Sequence, residues 1–172
     1  MSERDSKSFW IWGQFDNKST NSLNEIYSIT NSNFIGPKFD LHLTISGPIK
    51  FKNDIILEKF YSLKQKLKSF NIKINKYSFS NFFYESLYVS VFLNKNLENL
   101  KMIIDKEFDL NQKMYKPHIS LFYGKKRTNE KKKLIRTLPT LPECVKLSKL
   151  CFVNVNEEKK MWDIEHQINL IN

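Results

Sequence analysis

Two short segments of the chain place a histidine and a hydroxyl side chain two residues apart. His42 is followed by Thr44, and His118 is followed by Ser120. Residues two apart on a β-strand point to the same face, so each segment would present an imidazole and a hydroxyl side by side. The residues that alternate with them are apolar and would point to an opposite, buried face. Two of the three histidines of the chain occur in this setting.

Two histidines that face one cavity form an acid–base pair near neutral pH. A neutral imidazole takes a proton from water, and a protonated imidazole delivers a proton to a leaving oxygen. The neighbouring hydroxyls can hydrogen-bond to non-bridging phosphate oxygens and stabilise the charge that develops there. The two motifs therefore predict attack on a phosphodiester without a metal or another cofactor. They do not decide which histidine is the base and which is the acid.

The remaining candidates for metal or nucleophile chemistry are weak. His166 has Ile168 at the second following position, where the motifs have a hydroxyl, and we predict a surface or structural role for it. Cys144 and Cys151 match no common spacing of metal ligands, so we expect ordinary thiols in a reducing compartment. No glycine-rich phosphate loop or dinucleotide fingerprint is present.

Composition favours a globular protein with an anionic partner. The chain has 172 residues, 41% of them hydrophobic, and a formal net charge of +10. Such a charge favours nucleic acid, nucleotides or phosphorylated ligands, although an AT-rich genome could also impose this lysine bias. The first seven residues are polar, unlike a signal peptide, and no apolar run is long enough to span a bilayer. We therefore expect a monomeric, soluble cytoplasmic protein without membrane contact.

The elements that must position the two histidines follow from the hydrophobic patterns. These patterns predict eleven elements in the order β α β α β β α β α β β. Strands are expected over residues 8–15, around His42 as far as Gly47-Pro48, over 72–80 and 82–93, around His118, and over 145–155 and 161–171. Helices are expected from Ser19 or Thr20 to about Ser32, from Asn53 or Asp54 to about Phe70, from Asn96 to about Phe108, and from the basic segment 125–133 to about Leu138.

The order of these elements contains an approximate repeat. In each half of the chain a helix is followed by a strand that carries one of the two histidine motifs. We predict an α+β fold in which residues 1–172 form a single domain of two pseudo-symmetric lobes. Each lobe would be a small antiparallel sheet with helices packed outside, and the histidine strands would meet across a central cleft.

The longer strings around both motifs resemble a known family. Residues 36–45 read GPKFDLHLTI and residues 115–123 read YKPHISLFY. They are similar to the 2H phosphoesterase superfamily, and to its plant and yeast cyclic phosphodiesterase branch in particular. That branch has a Gly-Pro-basic-Phe lead-in at the first motif and Pro-His-apolar-Ser-Leu-apolar-Tyr at the second. Leu41 stands where the second motif has Pro117, which leaves the chemistry untouched.

The resemblance implies a bilobal, LigT-like fold with the active site in a solvent-filled cleft. It implies that members open cyclic phosphates on ribose, namely ADP-ribose 1″,2″-cyclic phosphate and nucleoside 2′,3′-cyclic phosphates. By the same resemblance, six residues have roles in the site: His42 and His118 as the acid–base pair, Thr44 and Ser120 as phosphate-binding hydroxyls, Tyr123 as an aromatic beside the phosphate, and Trp12 as part of the pocket wall.

Two other functions remain open from the sequence. Other members of the superfamily cleave 2′,5′-linked oligoadenylates or cyclic oligonucleotide signals, and the lysine-rich segment after Tyr123 favours a longer polyanion. A non-catalytic RNA-binding module is the third hypothesis, although binding alone does not need both intact motifs. Its phosphate contacts would come from five basic residues: Lys113, Lys116, Lys125, Lys126 and Arg127.

Overall fold

The computed structural model describes residues 8–50, 54–111 and 114–172, and this part of the chain follows the predicted order of elements. The predicted helix start at Asn53, the polar segment 1–7 and Lys113 lie outside the described residues. The strands are β1 (Ser8–Phe15), β2 (Leu43–Lys50), β3 (Phe70–Phe79), β4 (Leu87–Val91), β5 (His118–Phe122), β6 (Cys144–Asn156) and β7 (Met161–Asn169). The helices are α1 (Asn17–Asn33), α2 (Ile55–Ser62), α3 (Lys95–Glu107) and α4 (Thr128–Ile135).

Two helices begin earlier than predicted. The carboxylate of Asp16 accepts the amide N–H of Ser19 at 2.8 Å and caps α1, so neither Ser19 nor Thr20 is the cap. The side chain of Asn94, not that of Asn96, caps α3. Several neighbouring residues in these segments have side chains that can cap, and spacing alone does not choose among them. None of the helices within the described residues has the length and apolarity needed to cross a membrane.

Two elements are shorter than predicted. Helix α2 ends at Ser62 and continues only as a 3-10 turn over Leu63–Gln65. Strand β4 begins at Leu87, and the segment before it forms a second 3-10 turn over Phe83–Glu85. The hydroxyl of Ser80 donates to the Glu85 carbonyl at 2.9 Å and accepts the amide of Phe82 at 3.1 Å. Such local hydrogen bonds compete with strand pairing, so this segment does not join the sheet.

Strand β2 lies further along the chain than predicted: it begins at Leu43, directly after His42, and continues through Gly47-Pro48. Beyond this pair, Ile49 lies opposite Phe9 on β1. Two register shifts in the β1–β2 pairing fall between these residues and Trp12, which lies opposite Thr44. The pairing with β1 therefore resumes after the irregularity, as it does on either side of a β-bulge.

All strand pairings are antiparallel, and they connect the described strands in the order β1-β2-β5-β4-β3-β6-β7. Strand β1 also pairs with β6, so the first six of these strands form a ring and β7 extends from it. The α+β class and the antiparallel pairing are as predicted. The sequence predicted two separate sheets, whereas the described strands form one hydrogen-bonded sheet. The long strand β6 pairs with both β1 and β3 and so connects the two parts.

The apolar faces of the motif strands lie in the main core. Leu43 and Ile45, which alternate with the first motif, are at most 1% exposed, and Ile119 and Leu121 beside the second motif are fully buried. Full burial of such a side chain contributes about 1.5–3 kcal/mol. This anchorage fixes both motifs relative to the core: His118 begins β5, and His42 lies directly before β2.

Candidate active site

Both histidine motifs open on one cleft of about 240 Å³. The cleft lies between the strand segments that carry the motifs, the 3-10 turn before β4, and the β6–β7 hairpin. It is lined by Trp10, Trp12, His42, Thr44, Tyr84, Glu85, His118, Tyr123, Val155, Glu157 and Trp162. The structure therefore brings together five of the six predicted site residues on the wall of a single cleft.

His42 is held in one orientation from three sides. Its Nδ1 lies 2.6 Å from the carbonyl oxygen of Asp40, and its Nε2 lies 3.5 Å from the hydroxyl of Tyr123. Because a carbonyl only accepts, Nδ1 carries the proton and Nε2 of the neutral ring carries the lone pair. The indole of Trp12 covers one face of the imidazole. The unprotonated nitrogen is thus directed toward the phenol and the cleft.

Burial keeps His42 neutral. The residue is only 2% exposed, and loss of hydration lowers the pKa of its imidazole from 6.5 to about 3. The hydrogen bond to the Asp40 carbonyl opposes this change in pKa, whereas the nearby charge of His118 adds to it. His42 is therefore an unprotonated proton acceptor throughout the neutral pH range.

His118 begins β5 and repeats the backbone contact of His42 in a more open setting. Its Nδ1 lies 3.0 Å from the carbonyl oxygen of Lys116, again two residues earlier in the chain. The ring of Tyr88 packs beside it with centroids 5.0 Å apart. Both histidines thus have Nδ1 bonded to the main chain, which leaves Nε2 of each as the nitrogen for other partners.

The two motif hydroxyls have different surroundings. Thr44 is partly exposed on the cleft wall. Ser120 is 3% exposed, and its hydroxyl donates to the carbonyl oxygen of Tyr84 at 3.2 Å, behind the wall. A substrate would reach Ser120 only after this bond opened. Phosphate binding by either hydroxyl remains a prediction.

The two aromatic residues predicted for the site both lie on the cleft wall. Trp12 is 3% exposed and Tyr123 is 5% exposed. The ring of Tyr123 stacks on Phe39 with centroids 3.9 Å apart. Burial raises the pKa of the Tyr123 phenol, and a hydrogen bond with Ser120 opposes this rise only in part. The phenol therefore keeps its proton at neutral pH and can donate it in a hydrogen bond.

Several wall residues were not assigned to the site from the sequence. Trp162, Val155 and Glu157 come from the β6–β7 hairpin, which carries no motif. Trp162 and Ile164 alternate on β7 and pack against a small buried cluster that contains Trp12. In the sequence, this alternation of Trp162 and Ile164 could have predicted that one face of the hairpin is buried. The two carbonyl groups that orient the histidines carry no signal in the sequence, because every residue has one.

Two further polar residues, Ser46 and His166, lie outside the cleft wall. Ser46 would share the face of His42 on a regular strand, but a register shift separates them and its hydroxyl donates to Asp105 of α3. His166 lies 2.8 Å, at Nδ1, from the hydroxyl of Tyr61 on the protein surface. These contacts indicate structural roles.

The basic segment after Tyr123 is partly engaged in internal contacts. The ammonium of Lys126 lies 5.3 Å from the ring centroid of Phe34. Lys131 is 1% exposed, and its ammonium donates to the carbonyl of Ser80 at 2.6 Å. This burial lowers the pKa of Lys131. Part of the charge of this segment thus supports the fold.

Within the described ranges, no group of three or more His, Cys, Asp or Glu side chains is placed to hold a metal ion. Cys144 is exposed and Cys151 is buried, and both are free thiols. Burial raises the pKa of Cys151 to about 12, so this thiol stays protonated.

Comparison with known proteins gives one curated relative and a set of related folds. The cyclic phosphodiesterase of Arabidopsis thaliana is 21% identical over 168 residues, which cover 94% of this chain and 93% of the relative. No protein-family model matches the chain.

Among solved structures, Escherichia coli LigT complexed with phosphate matches with a TM-score of 0.62 at 10% identity, over 96% of this chain and 98% of LigT. TT0787 of Thermus thermophilus matches with a TM-score of 0.58 at 13% identity, over 95% of this chain and 97% of TT0787. Each alignment spans nearly the whole of both chains. The chain therefore has a LigT-like fold, and its sequence resembles that of a cyclic phosphodiesterase.

Proposed function

We propose that the chain is a metal-independent phosphodiesterase that hydrolyses a cyclic phosphodiester on ribose with His42 and His118 as its acid–base pair. One observation carries this proposal. Both imidazoles line the same cleft, and both have Nδ1 bonded to the carbonyl two residues earlier. Two proton-transfer groups are thus presented to one small volume in matching orientations.

His42 is the general base in this mechanism. Because Nδ1 is bonded to the Asp40 carbonyl, Nε2 carries the lone pair that can take a proton from water. The oxygen of that water attacks phosphorus as the proton leaves. The imidazolium formed in this step is stabilised by the Asp40 carbonyl and by the face of the Trp12 indole.

His118 is the general acid. His118 is more exposed than His42, so a positive charge on its ring loses less hydration. As the bond between phosphorus and one ribose oxygen breaks, His118 delivers its Nε2 proton to that oxygen. The products are a free hydroxyl and a phosphate monoester. His42 then holds the extra proton and His118 lacks one, and exchange with solvent restores both.

The hydroxyls of the site stabilise the phosphorane-like transition state. In this mechanism Thr44 on the cleft wall and the neutral Tyr123 phenol donate to non-bridging oxygens. Ser120 joins them after release from Tyr84. Removing one such donor typically costs about 10²–10³ in kcat.

The cleft favours a small substrate that carries a single phosphate. Its volume of about 240 Å³ is below the roughly 300–1,000 Å³ usual for ligand pockets. None of the described residues on its wall is a lysine or arginine, and two are the carboxylates Glu85 and Glu157. ADP-ribose 1″,2″-cyclic phosphate adds a charged diphosphate to its cyclic phosphate. We therefore favour a nucleoside 2′,3′-cyclic phosphate.

Aromatic side chains supply a surface for the nucleobase. Trp10, Trp162 and Tyr84 line the same cleft as the histidines. Stacking of a base on an aromatic ring contributes about 1–3 kcal/mol and tolerates different bases. The known proteins support a nucleotide ligand: the Arabidopsis relative is named a cyclic phosphodiesterase, and LigT has been solved with 3′-AMP.

Product analysis in the presence of EDTA tests the proposal. The purified protein is offered 2′,3′-cyclic AMP, ADP-ribose 1″,2″-cyclic phosphate and 2′,5′-oligoadenylate separately, and products are identified by liquid chromatography and phosphorus NMR. We expect opening of 2′,3′-cyclic AMP, and the product isomer identifies the bond that breaks. Loss of this activity in EDTA would refute the metal-free mechanism.

The same assay separates the alternatives. Cleavage of the 2′,5′-linked oligomer alone would assign the protein to degradation of a signal oligonucleotide. If the protein turns over no substrate but binds RNA, the RNA-binding hypothesis predicts a steep salt dependence, with log K falling by about 0.7 per contacted phosphate for each unit of log salt. A single cyclic phosphate predicts a shallow dependence.

A further inference from the structure

A hydrogen bond connects the two histidine motifs directly. The hydroxyl of Tyr115 donates to the carbonyl oxygen of Thr44 at 2.8 Å. Tyr115 lies three residues before His118, and Thr44 lies two residues after His42. The bond therefore joins the chain segments that carry the two halves of the site.

This bond lies where the sheet between the motifs is weakest. Among the described residues, β2 and β5 have one paired couple, Leu43 and Ile119. By contrast, β1 has five paired residues with β2, and β4 has four with β5. One pair restrains sliding and rotation of neighbouring strands poorly. Side-chain contacts must therefore help to fix the distance between the two imidazoles.

Tyr115 is itself held firmly. The ammonium of Lys101 lies 5.2 Å from the centroid of its ring. The same ammonium bonds Asp105 at 2.9 Å and the hydroxyl of Ser46 at 3.0 Å. Asp105 is 1% exposed, so this network connects α3, β2 and Tyr115 inside the protein. Burial raises the pKa of the Tyr115 phenol, which keeps its proton and remains a donor.

We propose that Tyr115 is a positioning residue that holds Thr44, and with it His42, in register with His118. It does not contact the substrate. Without its hydroxyl, the Thr44 carbonyl loses a partner and β2 is free to move relative to β5. Misplacement of a reacting group by about 1 Å can lower a rate by about 10²-fold. For its effect on catalysis, the inference rests on the proposed function.

The first test is a double-mutant cycle with a matched control. Tyr115→Phe removes only the hydroxyl, and Tyr77→Phe removes an equivalent one, which donates to the Pro139 carbonyl at 2.6 Å. We expect Tyr115→Phe to lower kcat/KM by about 10- to 100-fold and Tyr77→Phe to leave it unchanged. Because Tyr115 acts by placing His42, it should cause little further loss in a His42→Ala background, which keeps the Thr44 carbonyl. Additive losses would overturn the proposal.

The second test does not require activity. The chain has three histidines, so proton NMR can follow three imidazole Cε1–H signals. The signal of His42 is sensitive to small displacements, because its ring lies on the indole of Trp12. We expect Tyr115→Phe to shift it and to leave the signal of His166 in place, whereas Tyr77→Phe shifts neither.

An unchanged His42 signal in Tyr115→Phe would overturn the positioning role even if the enzyme proved active. Inactivity of the wild-type protein on every cyclic phosphate would instead count against the proposed function, and the NMR comparison would still decide the role of Tyr115. Circular dichroism of each variant verifies that the fold is retained.

Discussion

The indole of Trp12 lies flat against the imidazole of His42, with ring centroids 3.4 Å apart and planes inclined by 2°. The two side chains come from neighbouring strand segments, since Trp12 is paired with Thr44 across β1 and β2. This stacking excludes water from one face of the imidazole. It therefore contributes to the burial that keeps His42 neutral, and it places a π face beside the cation that forms when His42 accepts a proton.

Replacement of Trp12 by leucine is expected to raise the pKa of His42 from about 3 toward 6.5, because water would reach the exposed ring face. NMR titration of the His42 Cε1–H signal measures this change directly. Trp10→Leu is the matched control, since Trp10 lines the same cleft and lies two residues away on β1. A His42 pKa that stays unchanged in Trp12→Leu would contradict this account of the low value.

Removal of either cleft histidine is expected to lower kcat by about 10²–10⁴-fold, the usual contribution of one proton-transfer group. His42→Ala and His118→Ala are assayed with the cyclic substrate that the wild-type protein opens. His166→Ala is the control, since this histidine contacts Tyr61 away from the cleft, and it should retain full activity. Substantial turnover by either single cleft variant would refute the acid–base pair.

The stability of the protein is expected to fall as the pH is lowered from about 6.5 toward 3. In this window the unfolded chain binds a proton at His42 that the folded protein does not, because burial lowers the folded pKa to about 3. The contribution of His42 is thus complete above pH 6.5 and is lost on acidification. One such proton changes the free energy of unfolding by up to about 1.4 kcal/mol per pH unit.

Urea denaturation at several pH values between 4 and 7 measures this dependence. His42→Gln lacks the titrating group and should show a shallower slope, whatever its stability at neutral pH. Equal slopes in the two proteins would mean that burial of His42 does not control acid stability.

The buried ion pair beside Tyr115 is expected to be essential for folding stability. Lys101→Met leaves the carboxylate of Asp105, which is 1% exposed, without its cation, and losing one partner of a buried pair costs about 3–5 kcal/mol. Lys59→Met is the control, because Lys59 pairs with Asp109 on the surface and such pairs contribute about 0–1 kcal/mol. Thermal or urea unfolding compares the two variants. Equal losses of stability in the two variants would show that burial gives the Lys101–Asp105 pair no special importance.

The acidic wall of the cleft is expected to select against substrates with additional phosphates. Glu157→Gln removes one wall carboxylate and should raise kcat/KM for ADP-ribose 1″,2″-cyclic phosphate relative to 2′,3′-cyclic AMP. Glu158→Gln is the control, since Glu158 follows in the chain but does not line the cleft. The difference should shrink at high ionic strength, because salt screens exposed charges. An identical substrate ratio in both variants would exclude this role of Glu157.

The sequence by itself determined the order of the elements and the two histidine motifs. Alternation places Leu43 and Ile45, or Ile119 and Leu121, on one buried face, and this local pattern forces the histidines onto the other. The ends of elements were less predictable. Asp16 caps α1 in place of Ser19, and the bonds of the Ser80 side chain delay the start of β4, because neighbouring polar side chains compete for the backbone groups.

Only the tertiary structure decided how the two histidines differ. Their local sequences are alike, yet His42 lies beneath Trp12 and Tyr123 whereas His118 is more open to solvent. Burial depends on what distant segments bring to a residue, and the pKa follows burial. The hydrogen bond from the Tyr115 hydroxyl to the Thr44 carbonyl also connects distant parts of the chain. Short-range patterns report which face of an element is apolar, but they contain no information on which other element will cover it.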